Sequence, residues 1–170
     1  MNKVFVEEKH LYKIDCRKAV WATDKVHEAY HNNKVSLLKD VDFIIEREEE
    51  IVLLEYKNGN NPQAIAHGVV FKPESEKVIN SIAEKYFDTL HYLNLLGKNK
   101  PKHYVWVLEY PHGSSVARKL IRNKIIKQLP FRLQADLSAQ VKLIESFEVL
   151  SIAEWNDRYG EYQISKLEEK

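Results

Sequence analysis

Apolar and polar positions along the chain form two kinds of pattern, short apolar runs and longer helical stripes. Two apolar runs, residues 41–46 and 51–57, flank the charged segment 47–50, a layout typical of a β-hairpin. If the charged segment is the loop, Glu46 faces Ile51 across the hairpin. The same count along both strands places Asp42 directly opposite Glu55.

Further elements follow the hairpin. Between Ser75 and Gly97, apolar residues recur at helical spacing, with the serine as a predicted N-cap and the glycine as the stop. Residues 102–110 are almost continuously apolar and predict a central strand buried on both faces. A later strand is predicted near residues 141–150, and Ser151-Ile-Ala-Glu is a capping box that opens a last short helix.

A helix is also predicted for residues 114–128, ending before Pro130. Its pattern places Val116, Leu120 and Ile121 inward. The basic residues predicted for its outer side are Arg118, Lys119, Arg122, Lys124 and Lys127.

The amino-terminal region has a weaker pattern. Residues 3–15 fit either a strand or a short helix, whereas residues 15–30 carry apolar positions at helical spacing and predict an amphipathic helix. Residues 69–71 are a candidate short strand, and the chain is expected to fray from Glu161. The whole order predicts an α/β fold, a mixed sheet with an antiparallel hairpin flanked by helices.

Length and composition fit this picture. A chain of 170 residues with 44% hydrophobic residues suits one domain, residues 1–170, and it contains no apolar run of the ~18 residues that a membrane span needs. The first residues turn acidic before a signal-peptide core develops, and the lone Cys16 excludes an intramolecular disulfide. We therefore expect a cytoplasmic protein in a reducing compartment, with no membrane partner.

The hairpin carries the candidate chemistry. Opposed carboxylates such as Asp42 and Glu55 repel each other unless a positive charge offsets them, and a divalent cation does so. Lys57, two residues after Glu55, points to the same face. Two oxygen ligands beside an ammonium group suit Mg²⁺- or Mn²⁺-assisted phosphodiester hydrolysis.

These three residues resemble the signature of the PD-(D/E)xK, or restriction-endonuclease-like, nucleases: an acid, a gap, then Glu-x-Lys on the next strand. Val41 stands where the signature has proline. The resemblance implies a restriction-endonuclease-like core and a metal-dependent nuclease, with DNA the favoured substrate. It also implies that Asp42 and Glu55 bind Mg²⁺ or Mn²⁺ and that Lys57 assists catalysis.

Several alternatives remain open. Glu-x-Lys occurs three times in the chain, about as often as composition alone gives, and the triplets at residues 7–9 and 168–170 lie in polar sequence. Glu55 and Lys57 have a structural alternative as the polar ends of an edge strand, and Lys57 has another in an ion pair with Asp40. A noncatalytic module that binds nucleic acid or protein is a second function. The candidates for a further acidic ligand are Glu8, Asp24 and Glu28.

A rival motif lies upstream. His27-Glu28-Ala-Tyr-His31 matches His-Glu-x-x-His, in which two histidines bind zinc and the glutamate activates water in metallopeptidases. Polar residues surround the motif, unlike the apolar helices of those enzymes, so a surface helix is the competing interpretation.

The remaining polar and aromatic candidates have structural interpretations. Residues 98–127 contain eight Lys or Arg against one acid, an excess that fits either phosphate binding or a solvated surface. For Lys85 and His91 on the long helix, and for His112 in a loop at a strand end, a place near the site is the less favoured interpretation. Each of the three is expected to face solvent. The three tryptophans, expected in the core, are Trp21, Trp106 and Trp155.

Overall fold

The computed structural model describes residues 3–60, 62–68 and 70–168. Its strands, in chain order, are β1 (Val4–Val6), β2 (Tyr12–Asp15), β3 (Trp21–Thr23), β4 (Phe43–Glu46), β5 (Ile51–Asn58), β6 (Lys102–Glu109), β7 (Ser146–Leu150) and β8 (Ile164–Lys166). Its helices are α1 (Val26–Asn32), α2 (Pro62–Ala66), α3 (Glu76–Leu95), α4 (Ser115–Ile126), α5 (Phe131–Asp136) and α6 (Ile152–Arg158). In these ranges no helix is long and apolar enough to cross a membrane.

A five-stranded mixed sheet, in the order β3-β4-β5-β6-β7, forms the centre of the fold. Strands β3, β4 and β5 are antiparallel neighbours, whereas β5, β6 and β7 are parallel. Helix α3 connects β5 to β6, and α4 and α5 connect β6 to β7, because parallel strands need a long crossover. The α/β class and the mixed sheet with an antiparallel hairpin are therefore as predicted.

The central strand β5 is buried because it pairs on both sides. Its partner β4 meets it in the predicted register, Glu46 opposite Ile51 and Phe43 opposite Leu54. Each side of the sheet has its own core. Ile44, Leu53 and Trp106 pack under α1, α3 and α4, whereas Val52 and Val107 face a second layer.

That second layer is a small antiparallel sheet, in the order β1-β2-β8, together with α6. Residues 3–15, left open between strand and helix, contain the two strands β1 and β2. The expected fraying from Glu161 is wrong, because a 3₁₀ turn (Gly160–Tyr162) and β8 follow. Tyr162 and Ile164 are buried against the larger sheet, and Trp155 donates a hydrogen bond from Nε1 to the Tyr162 carbonyl at 2.7 Å.

Two predictions in the first half need correction. The helix predicted for residues 15–30 begins only at Val26, because residues 21–23 pair with β4 as the edge strand β3. Tertiary pairing overrides the helical spacing there. The strand predicted for residues 69–71 does not form at residues 70 and 71, and residue 69 lies outside the described residues.

Helix α3 closely follows its prediction. The Ser75 side chain accepts a hydrogen bond from the Val78 N–H, and Gly97 adopts a left-handed φ of 67° just past the helix end. The predicted capping box of α6 also forms between Ser151 and Glu154. Trp106 and Trp155 are fully buried as expected, and Trp21 packs against the core from a half-buried position.

Helix α4 turns a different face to the core from the one predicted. Val116 and Leu120 are 65% and 60% exposed, whereas Ile121 and Arg118 are buried. Arg118 donates from Nε to the Leu108 carbonyl at 2.9 Å. Its guanidinium also lies 3.3 Å from Glu109 Oε2, so Arg118 fixes the carboxyl end of β6.

Arg118 is therefore expected to contribute to stability rather than to phosphate binding. Replacing it with Ala leaves a carbonyl and a carboxylate without their buried partner, which costs about 2–4 kcal/mol of unfolding free energy. Urea denaturation measures this loss. The matched control is Lys119→Ala on the exposed side of α4, which should unfold like the parent; equal stability of the two variants would contradict the assignment.

Candidate functional site

The hairpin register brings two acids together at one end of the sheet. Asp42 immediately precedes β4. The register of the ladder, in which Phe43 faces Leu54, places Asp42 next to Glu55 when it is extended by one residue. The Tyr56 N–H donates to Asp42 Oδ2 at 2.8 Å, which ties Asp42 to the neighbouring strand. Glu55 is only 6% exposed, whereas Asp42 is half-buried.

Lys85 reaches this pair from α3. Its Nζ lies 2.6 Å from Glu55 Oε1, so the expectation that Lys85 faces solvent is wrong. Position 85 borders the buried stripe of α3, three residues after Ile82 and four before Thr89, both buried. A long side chain at such a border can extend along the helix to the sheet, and this spacing is the sequence signal that identifies Lys85.

Glu55 has an unused oxygen. Oε1 is bonded to Lys85, but Oε2 is buried with no hydrogen-bond partner among the described residues. A buried carboxylate oxygen without a partner is costly unless it binds a proton or a cation. Within the cleft, this atom is the most direct structural indication of a ligand among the described residues.

The pKa values of the acids reflect the same arrangement. Burial, followed by the nearby charge of Asp42, raises the pKa of Glu55 from its ordinary value of 4.5 to about 8, and the two exceed the opposing effect of Lys85. Burial also raises the pKa of Asp42, against the effects of Lys85 and the Tyr56 N–H. Without a cation, the two carboxyl groups therefore retain a proton near neutral pH.

Lys57 lies at the open side of the site. It lines the same cleft as Asp42 and Glu55, and its Nζ sits 5.4 Å from the centre of the Phe71 ring. Among the described residues, no carboxylate forms an ion pair with Lys57, because Asp40 lies 3.1 Å from His27 Nδ1 instead. The structural alternative of an Asp40 pair is thus not what the fold shows, and Lys57 keeps its charge available.

The acids and lysines surround a cleft of about 320 Å³. Its lining comes from the turn between β1 and β2, from the ends of β4 and β5, and from Lys85 of α3. Two of the three candidates for a further acid, Glu8 and Asp24, line this cleft. Glu28 does not; it pairs with Lys25 at 3.2 Å on the exposed side of α1.

The histidine motif forms a separate cluster. His27 and His31 stack with ring centres 6.3 Å apart on a helix of seven residues, and both are exposed. Across the described ranges, no group of three or more histidine, cysteine, aspartate or glutamate side chains is arranged to bind a metal. Zinc enzymes need three such ligands, whereas Mg²⁺ commonly uses one or two carboxylates and completes its shell with water and phosphate.

The basic segment is largely used for internal contacts. Lys98 and Lys100 both pair with the buried Glu46, and Arg122 donates to the Phe147 carbonyl at 2.9 Å. Of the basic residues predicted for the outer side of α4, Lys119, Lys124 and Lys127 are exposed. His91 and His112 are exposed as expected, and neither lines the cleft.

Comparison with protein-family models, with curated proteins and with solved structures gives no significant match. The function is therefore inferred from the residues and the geometry of the cleft.

The raised pKa of Glu55 makes stability depend on pH. The unfolded chain ionises Glu55 near pH 4.5, whereas the folded protein holds the proton to about pH 8. The folded state binds more protons between these values, so the contribution of Glu55 to the free energy of unfolding falls as pH rises through this window. In chelator-treated protein, Glu55→Gln, which mimics the protonated group, should gain stability relative to the parent across this range.

Urea unfolding at several pH values between 4.5 and 8 measures this difference. Glu84→Gln, which changes an exposed acid that pairs with Lys39 at the surface, is the matched control and should follow the parent. A stability difference for Glu55→Gln that does not change with pH would show that Glu55 ionises normally.

Proposed function

We propose that the cleft is the active site of a divalent-metal-dependent nuclease that hydrolyses phosphodiester bonds, with DNA the favoured substrate. The observation that carries this proposal is the buried, unpartnered Oε2 of Glu55 beside Asp42. The order of hairpin, α3, β6, α4 and β7 supports a restriction-endonuclease-like core for the sheet that holds these residues.

The charges of the cleft favour one divalent cation. Its lining contains five acids, Glu7, Glu8, Asp24, Asp42 and Glu55. It also contains three lysines, Lys9, Lys57 and Lys85. With all groups ionised the lining carries a net charge of about −2, which a single Mg²⁺ or Mn²⁺ neutralises. Cation binding would also replace the proton that Glu55 otherwise retains.

Each residue has a distinct part in this proposal. Asp42 and Glu55 supply carboxylate oxygens to Mg²⁺ or Mn²⁺, and a bound cation lowers the pKa of water and offsets charge on phosphate. Lys85 holds Glu55 in place and favours its ionised form. Lys57, which has no carboxylate partner among the described residues, stabilises negative charge that develops on the phosphate.

A noncatalytic protein-binding module is the second candidate, and it rests on a different surface. Val116 and Leu120 on α4 are more than half exposed, and Leu120 lines a shallow groove with Tyr110 and Ala117. An apolar surface of this kind suits a protein partner. Mn²⁺-dependent cleavage would favour the nuclease over this module, since the groove contributes nothing to hydrolysis.

The first test separates the carboxylates from Lys57. Asp42→Ala and Glu55→Ala each remove a metal ligand, so calorimetric Mn²⁺ binding and DNA cleavage should be lost together. Lys57→Ala keeps both ligands and should bind Mn²⁺ while the cleavage rate falls by roughly 10²-fold or more. Glu28→Ala, an acid outside the cleft, should behave like the parent. A Lys57→Ala rate equal to that of the parent would remove Lys57 from the mechanism.

The second test concerns Lys85. In Lys85→Met, Glu55 loses the nearby charge that favours its ionised form, so its pKa should rise further. Mn²⁺ binding should therefore require higher pH than in the parent, as measured by calorimetry across a pH series. Lys77→Met, an exposed lysine on the same helix, is the control. An unchanged pH midpoint in Lys85→Met would show that Lys85 does not affect the ionisation of Glu55.

A further inference from the structure

A second group of chemically competent side chains lies at the opposite end of the central sheet. Glu50 immediately precedes β5, His103 is the second residue of β6, and Ser146 begins β7. The ladders pair Val52 with His103 and His103 with Ser146, and Glu50 lies two residues before Val52. The three polar side chains therefore share one face of the sheet. Glu50 precedes Glu55 by five extended residues, which separates the group from the cleft acids by roughly 16 Å along the strand.

The three side chains are joined by hydrogen bonds. His103 Nε2 lies 3.1 Å from Glu50 Oε2, and His103 Nδ1 lies 2.7 Å from Ser146 Oγ. The other Glu50 oxygen, Oε1, pairs with Arg47 Nη1 at 2.5 Å. Because a carboxylate only accepts hydrogen bonds, Nε2 of the neutral imidazole carries the hydrogen. Nδ1 then accepts the hydrogen that the Ser146 hydroxyl donates.

This order of groups suits a nucleophilic serine. A hydroxyl beside a histidine that a carboxylate orients is the arrangement of serine-hydrolase triads, which are recognised by geometry rather than by sequence position. The two ring nitrogens have the opposite partners in those enzymes, but the imidazole accepts the hydroxyl proton in the same way. The side chains of His103 and Glu50 are 24% and 25% exposed, and Ser146 is also partly exposed, so the row is open to a small reagent.

The backbone holds these groups in place. The Arg47 N–H donates to the Glu50 carbonyl at 2.8 Å and closes the hairpin loop. Next to Ser146, the Glu145 N–H donates to the Lys102 carbonyl at 2.8 Å, so β7 is tied to β6 where the serine begins the strand. Groups held by sheet strands keep their geometry better than groups on free loops.

From the hydrogen-bonded row of Glu50, His103 and Ser146, we propose that Ser146 is an activated nucleophile that accepts acyl groups from small carboxylic esters. Ser146 Oγ attacks the carbonyl carbon of the ester, and its proton passes to His103 Nδ1. The bond between that carbon and the leaving alcohol oxygen breaks, and the alcohol takes the proton from Nδ1. The products are an acyl-serine and the free alcohol, and Glu50 offsets the charge of the transient imidazolium.

Fluorophosphonate labelling tests the nucleophile, because a serine that displaces fluoride from phosphorus keeps the phosphonyl group. In the parent protein, treated with a chelator because the reaction needs no metal, peptide mass spectrometry should find the label on Ser146 and none on the exposed Ser138. His103→Gln should slow labelling at least about 10²-fold, and Glu50→Gln at least about tenfold. His91→Gln, which changes an exposed histidine of α3, is the control and should label like the parent.

A short-chain nitrophenyl ester tests the acyl class. The parent should release nitrophenol in a rapid phase whose amplitude equals the protein concentration, because each Ser146 is acylated once before any slower step. Ser146→Ala should lack this phase and should not be labelled by the fluorophosphonate.

A cysteine variant keeps the proposal testable if Ser146→Ala or His103→Gln folds poorly. In Ser146→Cys, the introduced thiol lies beside His103, which favours its thiolate. Iodoacetamide should therefore alkylate it at least about tenfold faster than the thiol of Ser138→Cys, although position 138 is more exposed. The buried native Cys16 should stay unmodified in both variants, which reports that the chain is folded.

Fluorophosphonate label on Ser146 that depends on His103 would support the proposal. A folded parent without label on Ser146, or with equal label on Ser138, would overturn it. Label that His103→Gln leaves unchanged would also overturn it, because a merely structural hydrogen bond affects stability and not reactivity. Label on Ser146 without the rapid nitrophenol phase would overturn the assignment to carboxylic esters.

Discussion

The antiparallel register of β4 and β5 is the constraint on which the site depends. Side chains alternate between the two faces of a strand, so a slip of one residue would turn Glu55 away from Asp42 and into the opposite core. The apolar residues on both strands prevent such a slip, because Ile44 and Leu53 belong to one core while Ile45 and Val52 belong to the other. Burial of apolar side chains thus fixes the register, and this register places Asp42 beside Glu55.

Glu55 lies on the central strand of the sheet, where burial of an ionised carboxylate is energetically unfavourable. Removal of a charge from water costs several kcal/mol unless other groups compensate for it. Lys85 satisfies one oxygen, Asp42 adds repulsion, and the other oxygen has no partner among the described residues. An arrangement that is unfavourable without a ligand and becomes favourable when a cation binds is typical of functional sites rather than of structural ion pairs. The cluster of Glu46 with Lys98 and Lys100 shows the contrast, since both Glu46 oxygens have lysine partners.

The sequence predicts the elements whose pattern is long or symmetric. The hairpin register follows from a count about its loop, α3 from an unbroken stripe with a cap and a stop, and α6 from its capping box. The small sheet could not be predicted in this way, because its strands have three or four residues and the pairing of β2 with β8 joins the two ends of the chain. The contribution of Lys85 also depends on a tertiary contact, as does the burial of Arg118, which hydropathy places outside.

A cation bound between Asp42 and Glu55 is the central feature of the proposed site. The most direct measurement is a crystal structure of the protein soaked in Mn²⁺ above pH 8, where Glu55 is ionised, with anomalous scattering used to locate the ion. We expect an anomalous peak ~2.1 Å from Glu55 Oε2, in contact with an oxygen of Asp42. A cleft without manganese under these conditions, or manganese bound only at His27 and His31, would contradict it.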